Sequence, residues 1–240
     1  MMARSPSLRA VALFLLLAPA HTAMAHHLWV EAVQENYMIA RGHFPDQYEA
    51  YQPDRVSTAA AYARNGRPLQ LIRHETEESV AYTADQDVAL FVVRCDWGHR
   101  SITTQGRRFL TREAAEAEGY RVLQAFMSTH YSKAVFADCA LMQRPLGMTL
   151  EILLQTNPFD DLQPDDELVV QVLFDGEPLA DAAILANGED AGRTDADGII
   201  VIEMPEDGVR LLHTRHDAPV TDSDELDFHR FMSFLTLPPR

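Results

Sequence analysis

Leu28-Trp29-Val30-Glu31-Ala32-Val33 runs apolar with alternation about Glu31, pauses at Gln34 to Asn36, and resumes through Phe44. A period of two with a polar interruption is the mark of two half-buried strands joined by a short turn. The same rhythm continues outward. Strands are expected at Val56 to Arg64, Leu69 to His74, Ser79 to Thr83 and Val88 to Cys95, with Asn65-Gly66 as a hairpin turn between two of them. Thr111 to Thr129 departs from it: Thr111 can cap a helix, acids follow at Glu113, Glu116 and Glu118, and apolar residues through Val122, Phe126 and Met127 recur at helical spacing. One helix is predicted there, interrupted at Gly119, before a strand at Tyr131 to Phe136 that leads to Cys139.

Arg144-Pro145-Leu146-Gly147 punctuates the chain. Beyond it, strands are expected at Leu150 to Thr156, Glu167 to Phe174, Ala182 to Ala186, Gly198 to Glu203, Val209 to Thr214 and Arg230 to Leu237, with an acidic loop from Asp217 to Asp227. Short strands at regular spacing with turn residues between them predict a small β-sandwich. The fold class is therefore mainly β. Residues 26–146 are expected to form a first β domain with one inserted helix, and residues 147–240 a second, sandwich domain.

Residues 1–25 read as an export signal: Arg4 and Arg9, the apolar run Ala10 to Leu17, then the small-residue site Ala23-Met24-Ala25. The run is about half of what a bilayer-spanning helix needs. A periplasmic chain without a membrane anchor is the expectation, cleaved near Ala25 and starting close to His26-His27. Losing the two arginines and no acid takes the net charge of −16 to −18. So acidic a surface repels nucleic acid and anionic lipid and attracts cations. The 47% hydrophobic content is ample for a buried core. In an oxidising compartment the two cysteines, Cys95 and Cys139, could form a disulfide; two buried thiols or a thiolate metal site are the alternatives.

Cleavage after Ala25 would make His26 the first residue, its amine and imidazole forming a bidentate chelate for Ni²⁺, with Co²⁺ or Cu²⁺ as alternatives. His27 adds a nitrogen next door. His43, in Arg41-Gly42-His43-Phe44, and His99, in Trp97-Gly98-His99, are the candidates to join them. The metal ligands expected are thus His26, His27, His43 and His99. His213, His216 and His229, with Asp217 and Asp227 nearby, could form a second, weaker site. Asp195-Ala196-Asp197-Gly198 begins like a calcium loop but lacks its continuation, so a tight turn is expected. Nucleophile elbow, phosphate loop, His-Glu-x-x-His and Cys-x-x-Cys motifs are all absent from the sequence. These absences point away from an enzyme.

Several segments carry a family resemblance: His27-Leu28-Trp29-Val30-Glu31, Ser132-Lys133-Ala134, Gly147 to Ile152, Thr156-Asn157-Pro158, Val172 to Leu179, Thr194 to Gly198 and Met204 to Gly208. Together they resemble the periplasmic nickel-uptake accessory proteins long catalogued as a domain of unknown function, over nearly the whole mature chain. The resemblance implies a transthyretin-like or immunoglobulin-like second domain and a role in supplying Ni²⁺ to a membrane metal transporter. Two rival readings are a non-catalytic docking or glycan-binding module and a copper-dependent oxidative enzyme built on an amino-terminal histidine.

Overall fold

The computed structural model describes residues 26–160 and 162–238; the expected export signal, residues 1–25, lies outside them. Seventeen strands and one short helix make up the described chain. In order they are β1 (His27–Val33), β2 (Asn36–His43), β3 (Gln47–Tyr48), β4 (Val56–Tyr62), β5 (Leu71–Glu75), β6 (Val80–Ala84), β7 (Leu90–Thr103), β8 (Gly106–Arg108), α1 (Arg112–Ala117), β9 (Val122–Val135) and β10 (Leu150–Leu154). There follow β11 (Glu167–Phe174), β12 (Glu177–Pro178), β13 (Ala183–Ala186), β14 (Glu189–Arg193), β15 (Ile199–Glu203), β16 (Leu211–Pro219) and β17 (Phe228–Thr236). The mainly β reading holds. Among the described residues no helix is long and apolar enough to cross a membrane.

The strands form three sheets. The largest runs β14-β13-β16-β17-β9-β7-β4, with β8 on β7, and so crosses the punctuation at Arg144 to Gly147. Its two halves meet where β17 lies parallel to β9, from Phe228 beside Phe126 to Thr236 beside Ala134. The sheet β1-β2-β6-β5, extended by β3, covers one face, where Leu28, Val30, Ile39, Phe91, Val93, Met232 and Phe234 share a core. The sheet of β10, β11, β12 and β15 covers the other, with Tyr131, Val135, Ile152, Val170, Phe231 and Leu235 in a second core. Alternate residues of β17 thus feed opposite cores: Phe231 and Leu235 one, Met232 and Phe234 the other. A strand covered on both faces reads as a continuous apolar run.

This two-faced burial explains the principal departure from the sequence reading. The helix expected over Thr111 to Thr129 shrinks to α1. Thr111 does cap it, its Oγ1 accepting from the Ala114 N–H at 3.1 Å. The helix then stops at Gly119, whose φ of +84° ends the right-handed turn. Val122, Phe126 and Met127 belong to β9, where pairing on both sides outweighs their helical spacing. Asn65-Gly66 does make a turn, but β4 and β5 go to different sheets, with only a local bridge between Tyr62 and Pro68. The acidic loop shortens, because Asp217 to Pro219 extend β16. The unexpected β14 is a polar edge strand with no apolar alternation to announce it. Cys95 and Cys139 are free and buried in different cores, on opposite faces of the large sheet, which rules out a bond between them. Asp195 caps a tight turn with its Oδ1 accepting from the N–H groups of Asp197 and Ile199, as anticipated.

A buried ion pair ties β9 to β10. Lys133 donates to Glu151 at 2.6 Å with both side chains 2% exposed or less, and also to the Ile152 carbonyl at 3.2 Å. Glu151 accepts in turn from the backbone N–H groups of Leu146 and Met148. Removing one member strands the other charge without water, at a cost of about 3–5 kcal/mol, whereas replacing both by apolar groups costs much less. Lys133→Met and Glu151→Gln are each expected to lower the urea midpoint strongly, and Lys133→Met with Glu151→Leu to recover part of the loss. Single variants no less stable than the double would show that the pair is not held as described.

Candidate metal centre

The β1–β2 hairpin assembles the site. His27 pairs with Gly42, so the next position outward sets His26 against His43, residues 17 apart in sequence. Gly42, at φ +142°, then lets the chain fold back tightly: a Cβ there would lie 1.9 Å from the Gln47 carbonyl oxygen. The return segment β3 pairs with the end of β2, and the Glu49 N–H donates to the Arg41 carbonyl at 2.7 Å. Trp29, fully buried, packs edge-on against Phe44 and tilted against Tyr48, fixing that fold-back. Glu49 is thereby delivered beside the two histidines. Donor atoms of His26, His43 and Glu49 all lie within 4.8 Å of one another.

The hydrogen bonds define the state of His26. Arg41 can only donate, and its guanidinium lies 3.1 Å from His26 Nδ1, which must therefore accept. The ring proton sits on Nε2, 2.7 Å from Glu49 Oε1, while Arg41 holds Glu49 Oε2 at 2.6 Å. Burial and the Arg41 charge lower the His26 pKa, outweighing the pull of Glu49. An incoming divalent ion would displace one proton, from Nε2, with Glu49 already oriented by Arg41. His43 Nδ1 is buried and lacks a hydrogen-bond partner. Two imidazoles and a carboxylate with an unmet nitrogen suit a nitrogen-preferring late transition ion, and three protein donors leave positions open for exchange.

Of the four histidines expected as ligands, His26 and His43 come together. His27 is next to them but buried, and its Nδ1 accepts the Phe44 N–H at 3.1 Å. It thus braces the hairpin as an acceptor through Nδ1, and it is not one of the three residues whose donor atoms converge. Its ring meets His43 at 6.2 Å and His213 at 5.1 Å. His99 is not brought to the group: it pairs with Met127 in the β7–β9 ladder, and its neighbour Arg100 lines the cleft that His26 borders. The second, carboxy-terminal group does not assemble either. His213 packs on His27 and Phe234, His216 on Phe174, and His229 on Phe231 with a hydrogen bond to Thr129. Glu49 and His213 are the residues that sequence reasoning missed. The only local signal for Glu49 is the turn at Pro45-Asp46 just after His43, and nothing local announces His213.

Next to the triad the interior holds uncharged rings. Burial, reinforced by His43 and His26, lowers His27 to about 4; burial and His27 lower His213 to about 4. His130 is held at about 3 by lost hydration and by the Arg41, Arg100 and Arg230 charges around it. Two clefts open nearby. One, of about 730 Å³, lies between β13, β14 and β16 and has His27 and His213 on its wall. The other, of about 220 Å³, has His26 at its edge and His130 on its lining.

Fold and site together define a three-sheet β protein with a histidine–carboxylate cluster at the mouth of its first hairpin. The chain belongs to the family described as a domain of unknown function, DUF4198, whose model matches residues 14–218. No curated protein and no solved structure matches it.

The neutral histidines set an acid limit on stability. Their pKa values are near 6.5 in the unfolded chain and far lower in the native one, so the contribution is fully present above about pH 6.5. Below that the unfolded chain takes up protons that the native one refuses, and stability is lost progressively toward pH 4 to 3. The melting temperature is expected to fall between pH 7 and 4.5, less steeply in His130→Gln. A flat profile in the unaltered protein would contradict the assignment of neutral rings.

Proposed function

We propose that this chain is an exported, periplasmic binding protein for a transition metal, Ni²⁺ with Co²⁺ or Cu²⁺ as alternatives, that supplies a membrane metal transporter. The observation that carries the reading is the triad of His26, His43 and Glu49, with donor atoms within 4.8 Å. An open three-donor site releases its ion more readily than a closed four-donor cage, which is what delivery requires. The acidic composition draws cations toward the surface. The resemblance of several segments to nickel-uptake accessory proteins supports nickel as the cargo. If export cleaves after Ala25, the new amine and His26 Nδ1 offer an alternative chelate once Arg41 gives up Nδ1, with the ion on that nitrogen instead of Nε2.

Calorimetric titration of the protein purified from periplasm, with its amino terminus read by intact mass, tests this. Ni²⁺ is expected to bind one site. His26→Ala, His43→Ala and Glu49→Gln should each weaken it by at least about tenfold, as loss of even a supporting group does, while His99→Ala leaves it unchanged. A folded protein that binds none of Ni²⁺, Co²⁺ or Cu²⁺ at high micromolar concentration would end the metal reading and leave the docking module in its place.

A further inference from the structure

The cleft of about 220 Å³ beside His26 has a composition at odds with the rest of the chain. Five arginines line it, Arg41, Arg100, Arg107, Arg215 and Arg230, and no acidic residue does, in a protein that carries 36 acids against 20 bases. Among the described residues, two carboxylates pair with these guanidiniums. Glu49 pairs with Arg41, and Asp217 pairs with Arg230 at 2.7 Å and with Arg215 at 3.8 Å. Five positive charges against two negative ones leave an excess of three. Arg100 and Arg107 have no carboxylate partner among the described residues.

The arginines are also aimed. Arg41 lies 4.9 Å over the Trp97 ring, Arg100 4.4 Å over Phe109 and Arg230 4.4 Å over Phe126. Stacking fixes the planes of the guanidiniums. Arg41 donates to Glu49 and His26, Arg230 to Asp217, and Arg100 Nη1 to the Trp97 and His99 carbonyls, so the remaining N–H groups of Arg100 and those of Arg107 are the ones left for an oxyanion. Phe109 is 71% exposed, an outlay of apolar surface that a stacked Arg100 accounts for. Trp97, 6% exposed, lines the same cleft with its Nε1–H buried and without a partner. The lining therefore presents hydrogen-bond donors far in excess of acceptors. Burial and the neighbouring Arg55, Arg107 and Arg41 charges press Arg100 down to about 10, a crowding of like charge that an anion would relieve.

We propose that this cleft is a binding site for a small multivalent oxyanion, held between Arg100 and Arg107 with the Trp97 Nε1–H as a further donor. The site is independent of the metal reading, because none of those three residues belongs to the triad. Its class of ligand, polycarboxylate or phosphate, is decided by titration.

The experiment is calorimetry on chelator-treated, metal-free protein at low and moderate salt, with citrate and inorganic phosphate as separate probes. Saturable binding of either, at a Kd below about 1 mM, is expected. It should weaken at least tenfold in Arg107→Ala, an exposed position whose loss leaves the fold intact, and in Arg100→Gln, while Arg67→Ala, outside the cleft lining, has no effect. Binding of citrate alone assigns a polycarboxylate, binding of phosphate alone a phosphate, and binding of both an oxyanion site without selectivity between them. Absence of binding by either probe up to 10 mM, on the order of the weakest specific affinities, would overturn the proposal. So would an Arg107→Ala protein that binds as tightly as the unaltered one.

Discussion

The Lys133–Glu151 pair is the interaction on which the arrangement of the sheets depends. Lys133 is the chain's only lysine, set on a strand with sheets on either side, and burial lowers its pKa against the opposing pull of Glu151. Such a group is tolerable only where its partner and remaining hydrogen bonds are supplied in place. Glu151 supplies the charge, Ile152 a carbonyl, and the N–H groups of Leu146 and Met148 satisfy Glu151 from the far side. The pair selects one packing of β10 over β9, strands of different sheets, because any other would strand two charges in an apolar core. Through it, the connection after β9 is drawn across one face of the large sheet, and β10 and β11 are held there.

That placement reaches the candidate site at a distance. With β9 covered on one face by β10, its opposite face and that of β17 receive the first sheet, and Phe234 becomes the platform on which His27, His130 and His213 all rest. The hairpin that carries His26 and His43 is thus seated on residues from the end of the chain. His27 connects the two: its buried ring contacts His213 below while its Nδ1 receives the Phe44 N–H at the fold-back. The triad thus stands on a base of uncharged rings.

The histidine–carboxylate triad and the arginine cleft meet at His26 and share Arg41, which orients Glu49 and stacks on Trp97. Arg215 and Arg230, which close the far side of the cleft, come from β16 and β17, while Arg41, Arg100 and Arg107 come from β2, β7 and β8. Both halves of the chain therefore contribute to it.

Residue by residue, the sequence alone determined whatever depends on neighbours along the chain. The alternation of Leu28 to Val33 and the turn after it specify the first hairpin, which by register alone sets His26 against His43. Thr111 specifies the helix cap, and Asp195 to Gly198 the tight turn. Tertiary structure decided what depends on partners far away. Val122 to Met127 carry helical spacing and became strand because β7 and β17 pair with both edges. Cys95 and Cys139 fell into separate cores because a sheet stands between them. Glu49 reached the histidines only because Gly42 lets the backbone double back within contact of Gln47, and His99 went elsewhere because its place in the β7–β9 ladder puts it beside Met127. Local periodicity records which face of an element is buried, but not against what, and a site seated where two sheets meet is made of those unrecorded partners.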